Sequence, residues 1–194
     1  MKRSIFILSL ITAAGLFVIV ACQNSSANPQ SEVILSKDSL IKRGSYLVTV
    51  SGCDDCHSPK RFSANGVELI PELRLSGSQH NNTLPKVDKS QVKNGWVLLG
   101  GDFTAAVGPW GVSYAGNLTS DETGIGIWSE AQFSKALREG KLKGMDGTRP
   151  LLPSMPWENF RNFTDLDIKA IYTFLQSTKP VSNVVPAPKS LEEL

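Results

Sequence analysis

Cysteine, histidine and methionine are scarce in this chain: three, two and three among 194 residues. Three cysteines cannot build the paired framework of a disulfide-stapled secreted scaffold. A structural zinc site needs four ligands and would consume nearly every cysteine and histidine present. An excess of charge of one sign is also lacking. The chain has 20 basic and 18 acidic residues, and removing Lys2 and Arg3 leaves 18 of each. A surface without basic excess gives no compositional case for a nucleic-acid partner. There is no internal repeat, no Gly-rich phosphate loop and no Ser-His arrangement, so solenoid arrays and the enzyme classes built on those motifs have no support. An apolar content of 41% is still enough for one packed domain.

Long hydrophobic runs are absent except at the start. Lys2 and Arg3 precede a mostly apolar stretch from Ile5 to Val20, and Ala21-Cys22 follows. A charged start, a short apolar middle and a small residue describe an export signal. A retained membrane helix is the alternative. The run falls short of the ~20 apolar residues such a helix needs and has no charged flank behind it. Ile19-Val20-Ala21-Cys22 resembles the bacterial lipobox, in which the cysteine is lipidated and becomes the mature N-terminus. An ordinary signal with a coincidental cysteine is the competing reading. Several acyl chains on one residue would give stable anchoring. The expectation is a lipoprotein signal over 1–21 and a flexible polar tether over 22–37.

Periodicity then sketches a domain over 38–181. A helix starts near Asp38-Ser39 and runs towards Val50, with Gly52 as its stop signal. Residues 58–128, rich in Gly, Pro, Asn and Ser, show no convincing long helix, which is unusual unless something else organises them. Ser129-Glu130-Ala131-Gln132 has capping-box spacing and opens a second helix that Gly140 closes. Thr164-Asp165-Leu166-Asp167 opens the last one, where Ile168, Ile171, Tyr172 and Leu175 mark one buried face before Pro180. Residues 182–194 read as a loose tail.

The motif that carries chemistry is Cys53-Asp54-Asp55-Cys56-His57, a C-x-x-C-H run. Two thiols one turn apart can add to the two vinyl groups of one porphyrin, and the next imidazole then sits under the iron. A Cys53–Cys56 disulfide or exchange dithiol stays open as an alternative, although the βαβ context of thioredoxin-like proteins is missing. The expected cofactor is one covalent haem c, with Cys53, Cys56 and His57 as its attachment residues.

With that motif in place, the sequence resembles class I cytochrome c, and in particular the bacterial monohaem cytochrome c domains found with membrane-bound dehydrogenases. The resemblance rests on Arg43-Gly44-Ser45-Tyr46-Leu47, on Gly116-Asn117-Leu118-Thr119 through Thr123-Gly124-Ile125-Gly126-Ile127-Trp128, on Leu137-Arg138-Glu139-Gly140, and on Met155-Pro156 ahead of the last helix. It implies a mainly α fold, a small helical bundle wrapped around the haem with long irregular loops. First and last helices would cross at Gly44 against Tyr172 or Ile171. It implies Met155 as the sixth iron ligand; the sequence otherwise offers His80, Met145 or an open position. It also implies Pro71 as the carbonyl that receives the proximal histidine's free N–H, and Asn117 and Trp128 as contacts for the haem propionates. Arg138 reads as a solvated helix residue. The function so implied is one-electron transfer between a dehydrogenase donor and an oxidase or other cytochrome acceptor, at a membrane reached through Cys22, outside the cytoplasm. Two rivals are a haem enzyme or gas-binding protein with an open distal position, and a thiol–disulfide exchanger without haem.

Overall fold

A computed structural model describes residues 35–64 and 66–194. The leader and Cys22 lie outside the described residues. Ser36–Leu194 forms one compact unit.

The first helix, α1 (Lys37–Val50), starts where the Ser36 side chain accepts the Ser39 N–H, slightly earlier than the sequence suggests. It buries Leu40, Gly44 and Val48, spaced four apart on one face. Gly52, in the left-handed conformation (φ 70°), turns the chain into the five-residue α2 (Cys53–His57). At the other end of the fold, α6 (Asp165–Gln176) is opened by a reciprocal capping box between Thr164 and Asp167 and buries Ile168, Ile171, Phe174 and Leu175. The two helices cross where Gly44 meets the Ala170 carbonyl, and a Cβ on Gly44 would also lie 2.6 Å from the Phe174 Cβ. Gly44 is thus the close-approach residue that the sequence pointed to. Its counterparts are Ala170 and Phe174, not Tyr172 or Ile171.

Between them, α4 (Glu130–Glu139) carries the expected Ser129–Gln132 capping box and ends at Gly140, again left-handed. A one-turn α5 (Trp157–Phe160) follows the Met155 loop. Tyr172 donates its hydroxyl to the Trp128 carbonyl (2.7 Å), and Gln176 donates to the Ile125 carbonyl (2.8 Å), so the last helix grips the 117–128 loop. Arg138 is not simply solvated. It donates to the carbonyls of Arg161 and Phe163 and pairs with Asp165 at 2.7 Å, tying α4 to the start of α6.

The middle of the chain departs from the expected irregular loops, and its strands qualify the expected mainly α fold. β1 (Lys60–Ser63) and β2 (Gly66–Leu69) make one antiparallel hairpin. After the short α3 (Lys89–Lys93), β3 (Leu98–Leu99), β4 (Ala105–Gly108) and β5 (Gly111–Tyr114) make a three-stranded antiparallel sheet in sequence order. The sheet has its own small core of Val92, Val107 and Val112. The C-terminal segment is not loose either. Leu191 and Leu194 pack on that second core, and Val112 donates to the Lys189 carbonyl at 2.9 Å. No helix among the described residues is long and apolar enough to cross a membrane.

Candidate functional site

The C-x-x-C-H run is the helix α2, entered through Gly52. Its thiols are free and partly buried. Burial pushes the Cys53 thiol up to about 11, with the Asp54 carboxylate adding to the effect, and burial raises Cys56 as well. Raised thiol pKa values disfavour the thiolate form that disulfide exchange uses.

Asp54, inside the motif, anchors the turn from below. It accepts from Arg74 Nε (3.0 Å) and Nη2 (2.8 Å) and from the Ser58 hydroxyl (2.7 Å). Burial would raise its pKa, but these hydrogen bonds and the Arg74 charge outweigh that and hold it below the usual carboxylate range. Ser58, fully buried, accepts the Leu75 N–H at 2.8 Å. The Arg74 guanidinium in turn lies over the Phe174 ring of α6, 5.8 Å from its centroid.

His57 Nδ1 stands 2.7 Å from the Gly116 carbonyl oxygen. A carbonyl only accepts, so Nδ1 carries the hydrogen and Nε2 is left with a free lone pair in the neutral ring. Burial pushes the imidazole pKa down, favouring that neutral form, and the bond to Gly116 opposes the shift without reversing it. The expected partner, Pro71, is elsewhere: it begins a single 3-10 turn, and its carbonyl receives the Arg74 N–H. Gly116 wins because the 76–78 loop holds that strand end against α2. Gly77 donates to the His57 carbonyl (2.8 Å), and Ser78 donates to Ala115 (2.9 Å). A Cβ on Gly77 would come within 2.6 Å of the Gly116 oxygen, so only glycine fits there.

Met155 is half-buried and packs against the main core, as does Cys53; Trp128 does the same. Met145 is 47% exposed and His80 is exposed. Asn117 is hydrogen-bonded within the protein. Its amide donates to Thr123 Oγ1 (3.1 Å) and the Val181 carbonyl (2.9 Å) and its oxygen accepts from Thr119 N and Oγ1, so its capacity is spent inside the protein. Sequence reasoning missed Gly116, Asp54, Arg74, Lys60 and Asn183. Of these only Asp54 and Lys60 are close enough to the motif to have been picked out by spacing.

The donor set fits a haem. Two unpaired thiols at C-x-x-C spacing and an imidazole with its distal nitrogen free are what covalent attachment and axial ligation require. Among the described residues, no group of three or more His, Cys, Asp or Glu side chains is placed to hold a bare metal ion.

Known proteins point the same way. No family model matches the chain. It is 31% identical over 163 residues to the gluconate 2-dehydrogenase cytochrome c subunit of Pantoea cypripedii, an alignment covering 80% of this chain and 28% of that one. It is 31% identical over 182 residues to the fructose dehydrogenase cytochrome subunit of Gluconobacter japonicus, covering 92% and 29%. The chain is homologous to the cytochrome c subunits of dehydrogenases. A third match, to the cytochrome c subunit of the quinone-dependent alcohol dehydrogenase of Gluconobacter oxydans, is 31% identical over 153 residues and covers 78% of this chain and 24% of that one. The homology implies a haem cofactor. This cytochrome homologue spans less than a third of the length of the relatives it matches.

Proposed function

We propose that the chain is a one-electron carrier holding a single covalent haem, attached through Cys53 and Cys56, with His57 and Met155 as the two axial ligands. The observation that carries this is the aim of His57: its Nδ1 hydrogen is fixed on the Gly116 carbonyl, so Nε2 is presented as a neutral donor beside two free thiols. Once bound, the haem supplies an Fe(III)/Fe(II) couple. The chain's own part is to fix the imidazole, to bring a soft thioether from the loop ahead of α6, and to surround the site with the apolar core that Cys53, Met155 and Trp128 share. Were His57 and Met155 both to hold the iron, no position would be left for a substrate, which favours electron transfer over the enzyme and gas-binding readings. We assign Trp128, not Asn117, as the side chain that reaches towards the propionates.

The dehydrogenase names of the relatives make a dehydrogenase the electron donor we propose, with an oxidase or another cytochrome as acceptor. Export and lipidation at Cys22 would hold the carrier at a membrane, outside the cytoplasm.

A pyridine haemochrome spectrum and a reductive titration of the purified chain test this reading. A c-type spectrum, haem that survives acid–acetone extraction, and a weak near-infrared Met–iron band in the oxidised protein are expected. Met155→Ala should abolish that band and open the reduced protein to carbon monoxide. Colour that extracts completely would end the proposal. Mass spectrometry of the membrane fraction checks Cys22, where an unmodified thiol would remove the anchor.

A further inference from the structure

A five-residue helix satisfies almost none of its own terminal carbonyls. In α2 the His57 carbonyl is taken by Gly77 N–H. The carbonyls of Asp54, Asp55 and Ser58 all receive one group, the Lys60 ammonium, at 3.1, 2.6 and 2.9 Å, and the Asp102 carbonyl lies at 3.4 Å. Lys60 is the first residue of β1, paired with Leu69, and its side chain folds back over the turn it has just left. The Phe103 ring lies on its other side, with its centroid 5.7 Å from Nζ. Surface lysines keep their ammonium in water and their rotamers free. This one, partly buried, spends its donors chiefly on backbone oxygens in and just after a single motif.

We infer that Lys60 is a positioning residue for the haem motif: its ammonium closes the C-terminal end of the Cys53–His57 helix and keeps one fixed positive charge against it. The inference rests on the proposed haem attachment. Two consequences follow from the contacts. The clamp fixes the backbone of Asp54 and Asp55, and so sets where Cys56 and His57 stand relative to Cys53. A cation held beside the ligand helix also disfavours the more positive, oxidised iron, and this raises the reduction potential. Helix C-termini attract cations for the same electrostatic reason, so the charge and the clamp reinforce each other.

The test uses the full chain with haem attached and compares wild type with Lys60→Arg, Lys60→Gln and Lys60→Met. A merely structural lysine would change unfolding midpoints alone. The inference expects Lys60→Met and Lys60→Gln to titrate at a more negative potential than wild type and Lys60→Arg to return towards it. Potentials of Lys60→Met and Lys60→Gln that match wild type overturn it, whatever their stability. If Lys60→Met yields no holoprotein, Lys60→Gln, which keeps two donors without the charge, carries the measurement. Failure of both neutral variants to attach haem, with attachment restored in Lys60→Arg, supports the clamp; failure in all three counts against it, because arginine keeps both charge and donors. A wild type without covalent haem is a different result and sinks the proposed function instead.

Discussion

Gly44 shows how one missing side chain decides where two helices meet. Inside a helix, glycine costs about 1 kcal/mol relative to alanine, so propensity alone favours replacing it. The crossing opposes that gain: a methyl group there would overlap the Ala170 carbonyl and press on Phe174. Overpacking of a tight contact typically costs about 1–3 kcal/mol, so Gly44→Ala should lower the denaturant midpoint despite better propensity. A variant as stable as wild type would mean that the helices do not cross there. His57 teaches the complementary lesson. The role proposed for it could be read from sequence because chemistry fixes the spacing of C-x-x-C-H. Its second partner could not, because any carbonyl can accept a hydrogen. Which one arrives depends on Gly77 and Ser78 holding a strand end 59 residues further along the chain.

Elements were legible in proportion to their length and to the side chains that mark their ends. Ser129–Gln132 and Thr164–Asp167 announce two helices because capping requires short acceptors at fixed spacing, and both boxes form. The strands, two to four residues long, offer too few positions for alternation to register, so β1 to β5 were hidden in a stretch that reads as loop. Asp167 carries a second duty that spacing does not show. Besides capping α6, it accepts from Arg43 Nε at 2.9 Å and so pins the last helix to the first. Burial would raise its pKa, but the hydrogen bonds from Thr164 and Arg43 outweigh that and hold it below the ordinary carboxylate value of about 3.9. The unfolded chain therefore binds the proton first as pH falls. The stabilisation from Asp167 is complete above the unfolded pKa and drains away between that value and the lower folded one. Asp167→Asn should be less stable than wild type near neutrality, and the gap between their unfolding midpoints should narrow below about pH 4. A constant gap from pH 7 to pH 3 would show that the carboxylate charge contributes nothing.

At the scale of the whole molecule, the C-terminal segment is what the sequence concealed most completely. It has no helical period and two prolines, and it makes its contacts one residue at a time, so nothing in its pattern distinguishes a strap from a tail. Asn183 is 2% exposed, and its amide donates to the Ser76 and Ser78 carbonyls at 2.8 and 2.9 Å while its oxygen accepts the His80 N–H at 3.0 Å. Those two carbonyls flank Gly77, whose N–H holds His57, and Ser78 holds Ala115 beside the Gly116 oxygen. Pulling Asn183 out therefore leaves polar groups without partners in the loop that orients the imidazole. An unsatisfied buried group costs about 1–3 kcal/mol, so Asn183→Ala should lose at least that much by chemical denaturation. A chain cut after Pro180 should lose more, because it also uncovers the second core under Leu191 and Leu194 and frees the β5 edge at Val112. The order of the two variants is the decisive reading. If the cut chain is no less stable than Asn183→Ala, the Lys189–Leu194 contacts contribute nothing. If both match wild type, residues 181–194 are not a strap, and the orientation of His57 must be secured from the helical side alone.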